Sequence, residues 1–278
     1  MTDIFEATEK IVERLGESHV PQWIKGREDP NFETVEDGGT GPEMLLLHGL
    51  FGALSNWDGV FPYFKQYVKP IALQFPLLTS PRNDVKVKSL AAYTWHYIKK
   101  NKFDPMILCG NSMGGHVALR LYLAAPEVVD CLILAGTSGL YEHTVDSLPI
   151  RPDQRFIREH MARVFYDRKF ITEEAINAIY DVIKERKNVL NIINAARSAK
   201  KDYLLDYLKQ IKVPTLLLWG EDDEVTTMDV AETFHKNIPN SKLVTIKNCG
   251  HAPMIEHPKW FSEQVHKFLQ ENSKRFNP

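Results

Sequence analysis

The stretch Gly110-Asn111-Ser112-Met113-Gly114-Gly115 leaves this chain few ways to fold. The apolar run from Met106 to Cys109 reads as a buried strand, and Val117, Ala118, Leu121 and Leu123 beyond it recur at helical spacing. Between them lies Gly-x-Ser-x-Gly, which puts one serine at the tip of a sharp strand-to-helix turn. Gly110 and Gly114 belong there because side chains two positions either side of the serine collide with the strained turn. Gly115 lets the outgoing helix pack close to the sheet. The start of that helix aims unpaired N–H groups and a positive dipole end at Ser112, which favours negative charge there. Three fixed residues in five recur by chance, so the weight comes from the flanking strand and helix and from two motifs downstream.

Around this turn, short apolar runs alternate with helical periodicities. Residues 44–47, 68–75, 128–135, 214–219 and 242–246 read as strands. Residues 57–67, 90–98 (capped by Ser89), 230–234 and 259–271 read as helices. That alternation implies a parallel sheet covered on both faces, with ligands held outside the carboxyl ends of its strands. Ahead of it, residues 22–25 and 32–35 read as edge strands, and residues 4–15 as an amphipathic helix stopped by Gly16. The rhythm breaks at Leu140. From there to Gln210 no strand-like run occurs, and four apolar periodicities, at residues 156–165, 175–183, 189–196 and 203–208, read as helices. Residues 140–210 are therefore expected to form a helical cap inserted between strands six and seven, over a core of residues 1–139 and 211–278. Arg151, Arg155, Arg158, Arg163, Arg168, Arg186 and Arg197 crowd this block. They read as a solvated face, although one turned inward would suit a substrate carboxylate.

A chain of 278 residues holds one large α/β domain or two small ones. Its net charge of -2 gives no reason to expect nucleic acid or an anionic membrane as partner. The N-terminus lacks the basic and apolar segments of a signal peptide, and no apolar run reaches membrane-span length. Cys109, Cys131 and Cys249 are an odd count, and a reducing, cytoplasmic setting fits them. Oligomeric state is left open.

A serine hydroxyl needs an adjacent base to act as a nucleophile. An imidazole serves at neutral pH, and a carboxylate fixes its tautomer and stabilises its cation. The chain supplies these groups in the order serine, acid, histidine. Ser112 comes first, then the acidic turn Gly220-Glu221-Asp222-Asp223-Glu224, then Cys249-Gly250-His251-Ala252-Pro253 after the last strand. That order suits three groups projecting from one edge of a parallel sheet. His251 is the expected base, and Asp223 is favoured over Asp222 as the acid. His48, His116 and His257 read as structural. An oxyanion would be met by the backbone N–H of Met113 and by that of Leu50, with Phe51 the alternative to Leu50. No metal-ligand spacing or phosphate loop is present, so no cofactor is implied.

Together, His48-Gly49-Leu50-Phe51-Gly52, Gly110-Asn111-Ser112-Met113-Gly114-Gly115, Trp219-Gly220-Glu221-Asp222-Asp223 and Cys249-Gly250-His251 resemble the motifs of the α/β-hydrolase superfamily. The resemblance runs from about Met44 to Leu269 and implies a mostly parallel eight-stranded sheet with a helical cap. It also puts the acid at Asp223 and implies a serine hydrolase acting on a small carboxylic ester or lactone. Asn-Ser-Met-Gly-Gly occurs as well in the branch that hydrolyses carbon–carbon bonds of ring-fission diketones. That branch usually carries a glycine-rich first loop and a bulky aromatic after the histidine, where this chain has Leu50-Phe51 and Ala252. A non-catalytic ligand-binding member of the fold is a third possibility, normally marked by a damaged triad. Fold alone does not choose among these.

Overall fold

The computed structural model describes residues 20–25, 32–103, 105–142, 149 and 152–276. The expected helix at residues 4–15 and Arg151 lie outside them. Seven strands form one sheet in the order β1-β3-β2-β4-β5-β6-β7. They are β1 (Thr34–Glu36), β2 (Glu43–Leu47), β3 (Lys69–Leu73), β4 (Met106–Asn111), β5 (Val129–Ala135), β6 (Thr215–Gly220) and β7 (Ser241–Ile246). All neighbours run parallel except β1, which is antiparallel to β3.

The helices are α1 (Gln22–Lys25), α2 (Phe61–Phe64), α3 (Val87–Asn101), α4 (Met113–Ala124), α5 (Gln154–Val164), α6 (Glu173–Ile183), α7 (Arg186–Lys201), α8 (Met228–Asn237), α9 (Pro253–Glu256) and α10 (Pro258–Asn272). Two apolar clusters cover the two faces of the sheet. Leu45, Leu47, Leu108, Leu132, Leu134 and Leu217 point to one, and Met44, Leu46, Ile107, Ile133, Leu216 and Leu218 to the other. The alternation along each strand makes that partition.

Three expectations are corrected. The sheet has seven strands among the described residues, not eight, because residues 22–25 are helical. Pro21 starts that turn, the Ile24 N–H donates to the Pro21 carbonyl at 3.0 Å, and Ile24 is fully buried. Ser89 does not cap α3; Lys86 holds that position, and Ser89 is buried within the helix. The helix expected over residues 57–67 shrinks to the short α2, preceded by a 3-10 turn at Leu54–Trp57.

Between β5 and β6 lie α5, α6 and α7, followed by a 3-10 turn at Leu205–Gln210 where the fourth periodicity was read. Their starts are written in the sequence: Asp153 and Thr172 each cap a helix by accepting the N–H three residues on. They enclose a third, smaller cluster of Ile157, Met161, Ile176, Ile183, Val189, Ile192 and Ile193. Several polar ties join this block to the core, among them those at Asn191 and Asp202. The Asn191 amide donates to the Leu77 and Ser80 carbonyls at 2.9 and 3.1 Å. Asp202, just past α7, accepts two hydrogen bonds from Arg120 of α4 at 2.6 and 2.7 Å and lies 3.2 Å from His116.

Candidate active site

The carboxyl ends of β2, β4, β6 and β7 bring four loops together. The sharpest is the turn from β4 into α4, where Ser112 has φ 53° and ψ -120°. A Cβ at Gly110 would lie 2.5 Å from the Gly114 carbonyl carbon, and one at Gly114 would lie 2.0 Å from the Leu47 oxygen of β2. The turn therefore closes only on glycine at both positions. The loop after β2 rests against it, with Gly49 placed so that a Cβ there would be 3.2 Å from the Ser112 Cβ. The Leu50 and Met113 backbone N–H groups have no hydrogen-bond partner among the described residues.

His48 holds that loop. Its Nε2 accepts the Phe75 N–H at 2.9 Å, leaving Nδ1 to donate to the Gly49 carbonyl at 2.7 Å. Burial pushes its pKa down to about 4, so it stays neutral as a structural histidine.

The acidic turn after β6 buries Asp223 and exposes Glu221, Asp222 and Glu224. Asp223 Oδ1 accepts the Val225 and Thr226 N–H groups at 2.8 and 2.9 Å. Its Oδ2 accepts the Thr226 hydroxyl at 2.9 Å and the His251 Nδ1–H at 2.8 Å. The carboxylate is thus fixed before it meets the imidazole. Burial works against a charged His251, but the charges of Asp223 and then Glu142 outweigh it and raise its pKa above 6.5.

The loop that carries His251 is held from several sides. The buried Glu256 carboxylate accepts the Gly250 N–H at 2.7 Å and the Asp167 N–H at 2.9 Å. The Asn111 amide donates to the His251 carbonyl at 3.0 Å. The His251 N–H donates to the Val164 carbonyl, the last residue of α5, at 2.7 Å. Cys249 is a buried thiol raised by burial and then by Glu256, not a nucleophile. His257 accepts no such role; its Nε2 lies 3.0 Å from the Asn248 carbonyl.

Ser112 and His251 line one cavity of about 950 Å³ that runs up under the helical block. The Ser112 hydroxyl makes no hydrogen bond among the described residues. Such bonds are often long until substrate arrives. Most of the wall is apolar, from Leu50, Leu78, Met161, Ile179, Val182 and Ile192. No lysine or arginine is part of it among the described residues. Arg155 and Arg158 instead face solvent, paired with Glu159 and Glu173. Glu142 and His160, neither of which the sequence singled out, do line the cavity. Nothing in their spacing marks them, since the packing of the helical block decides which residues face inward.

Comparison with known proteins identifies the fold. Residues 42–258 match the family model described as alpha/beta hydrolase fold. The chain is 27% identical to the 2-hydroxy-6-oxo-6-(2'-aminophenyl)hexa-2,4-dienoic acid hydrolase of Metapseudomonas resinovorans, covering 94% of each. It is 27% identical to the pimeloyl-[acyl-carrier protein] methyl ester esterase of Nitrosomonas europaea, covering 82% of this chain and 95% of that one. Among solved structures, an alpha/beta hydrolase enzyme from the metagenome of Mar Chica lagoon sediments superimposes with TM-score 0.72 at 30% identity, covering 88% and 97%. Among the described residues no helix is long and apolar enough to cross a membrane. With its parallel sheet, its serine turn and relatives named as hydrolases and esterases, the chain belongs to the alpha/beta hydrolase fold family and is a hydrolase.

Proposed function

We propose that the protein is a serine esterase with an acyl-enzyme intermediate, acting on carboxylic esters whose acyl group is apolar. Ser112 attacks the ester carbonyl as His251 takes its proton. Asp223 holds the imidazole with Nε2 free and stabilises the cation that forms. The Leu50 and Met113 N–H groups receive the oxyanion, and each such donor is worth about 3 kcal/mol in the transition state. His251 then gives its proton to the leaving alcohol, and water repeats the sequence to release the acid. Residues 140–210 act as the cap that roofs the cavity.

The observation that carries this reading is the cavity wall, mostly apolar beyond Ser112 and His251 and without lysine or arginine among its described residues. A buried carboxylate without a cation costs several kcal/mol. The relative from Metapseudomonas resinovorans acts, by its name, on a dienoic acid. Carbon–carbon hydrolysis of such ring-fission products is the second reading, favoured by that likeness. It meets here a cavity that offers the substrate carboxylate a glutamate instead of a cation.

The test is hydrolysis of p-nitrophenyl esters of rising acyl length beside a ring-fission diketone acid, with Ser112→Ala as control. Ester turnover that Ser112→Ala reduces by about 10³-fold or more supports the proposal. Diketone turnover with idle esters moves the assignment to carbon–carbon cleavage. Neither turnover nor labelling by a fluorophosphonate overturns a catalytic Ser112.

A further inference from the structure

A carboxylate has about four lone-pair positions, and those of Asp223 are all taken. Oδ1 accepts the Val225 and Thr226 N–H groups, and Oδ2 accepts the His251 Nδ1–H at 2.8 Å. The fourth donor is the Thr226 hydroxyl, 2.9 Å from Oδ2. That hydroxyl also lies 3.3 Å from His251 Nδ1, so it closes a triangle with the imidazole and the carboxylate oxygen. Thr226 is fully buried, and the proton that passes between Ser112 and His251 does not travel through it. Its main chain is tied on both sides. The Thr226 N–H donates to Asp223 Oδ1 at 2.9 Å, and its carbonyl accepts the Trp219 Nε1–H at 2.6 Å. A β-branched side chain has few χ1 states, so the hydroxyl is aimed as well as held.

A carboxylate oxygen only accepts, so the hydroxyl hydrogen points at Oδ2. There it acts on the base in two ways. With Oδ1 fixed by backbone and Oδ2 by the hydroxyl, the carboxylate keeps its plane whatever the charge on the imidazole. The same hydrogen draws on the negative charge that stabilises the imidazolium, so Oδ2 has less to give to Nδ1–H. Other groups act on the ring as well. Glu142, after β5, adds to the pull of Asp223, and together they raise His251 above 6.5. His160, on α5, has its pKa lowered to about 4 by burial and is uncharged at neutral pH. A base whose pKa climbs past the working pH is already protonated and idle. The Thr226 hydroxyl opposes that climb from the carboxylate side.

We propose that Thr226 is a positioning residue of the triad: its hydroxyl shares Asp223 Oδ2 with His251, holding the carboxylate against the imidazole and tempering its pull on the imidazolium. The proposal rests on the triad of the esterase reading above. Thr226→Val keeps the branched shape and loses the hydroxyl, and Thr226→Ser keeps the hydroxyl. For each, kcat and KM for p-nitrophenyl butyrate are measured between pH 5 and 9. The His251 imidazole is titrated by NMR over the same range, its resonance assigned by its absence in His251→Gln. In Thr226→Val the imidazole midpoint and the kcat/KM inflection are expected at higher pH than in the native protein. Plateau kcat falls by about tenfold. KM holds, because Val225 lines the cavity and Thr226 does not. Thr226→Ser brings the midpoint back. A midpoint does not depend on how much protein is folded, so a merely structural role would leave it in place. Should Thr226→Val not fold, Thr226→Ala carries the same expectation. A midpoint that stays or moves down without the hydroxyl, or a shift that Thr226→Ser does not reverse, overturns the role of Thr226 while leaving the esterase standing. The titration needs no substrate. Native protein that hydrolyses no ester, yet shows the upward shift in Thr226→Val, overturns the esterase and upholds Thr226.

Discussion

Ser112 occupies a backbone conformation that costs a non-glycine residue about 1–3 kcal/mol, and three main-chain hydrogen bonds to Ala135, His116 and Ser138 keep it there. The neighbouring glycines are not equivalent to glycines elsewhere. Gly114→Ala drives a methyl to 2.0 Å from the Leu47 oxygen, and a loss of about 3 kcal/mol or more is expected by urea unfolding. Gly38→Ala meets no atom within 4 Å and pays only for its φ of 64°, about 1 kcal/mol. In the proposed mechanism the pH profile is set by His251. Its pKa is raised above 6.5, and the base must be neutral, so kcat/KM falls as pH drops through that raised value. Asp223→Asn removes the larger of the two raising charges. The inflection then moves to lower pH, and the rate above it drops by about 10³–10⁴-fold, read from a kcat/KM profile between pH 5 and 9. Ser112, Asp223 and His251 were legible because each follows a strand end, and strand ends of a parallel sheet converge. Glu142 and His160 were not, since one lies in an irregular segment after β5 and the other shares an amphipathic helix with residues that face solvent.

At the scale of elements, the sheet was legible from its apolar runs, and β2, β4, β5, β6 and β7 fall within a residue or two of the expected bounds. The misreadings fall where local chemistry overrides pattern. Gln22–Lys25 alternates like an edge strand, yet Pro21 fixes a helical turn. The ties between the helical block and the core leave no trace in sequence, and they carry testable energies. Asp202→Asn loses the Arg120 fork and is expected to destabilise the protein by about 1–3 kcal/mol in urea. Asp202 has its pKa lowered to about 2: burial opposes this, and His116 and Arg120 outweigh it. Its contribution is therefore present above the unfolded value near 3.8 and is lost as pH falls through about 2. Asn191→Leu leaves the Leu77 and Ser80 carbonyls without their amide, and faster hydrogen exchange over residues 76–85 is the expected signature.

The whole molecule is built around two large apolar clusters on the sheet and one small cluster inside the helical block. The small cluster has fewer buried side chains to lose, so α5 and α6 should open at a lower free energy than β4, measured as native-state hydrogen exchange at rising denaturant. How the block seats itself on the sheet was beyond the sequence, because it depends on contacts between residues far apart in the chain, such as Leu77 with Asn191. One of those contacts has a mechanical meaning. The last carbonyl of α5 is bonded to the backbone of His251, and α7 is fastened beside α4 through Asp202. The helical block is therefore tied to the core at these points as well as at Asn191, and one tie falls on the backbone of His251, the proposed base. A displacement of α5, which lines the cavity through Met161 and Val164, would pull directly on the backbone of His251, so the wall that meets the substrate and the proposed proton relay are mechanically one part.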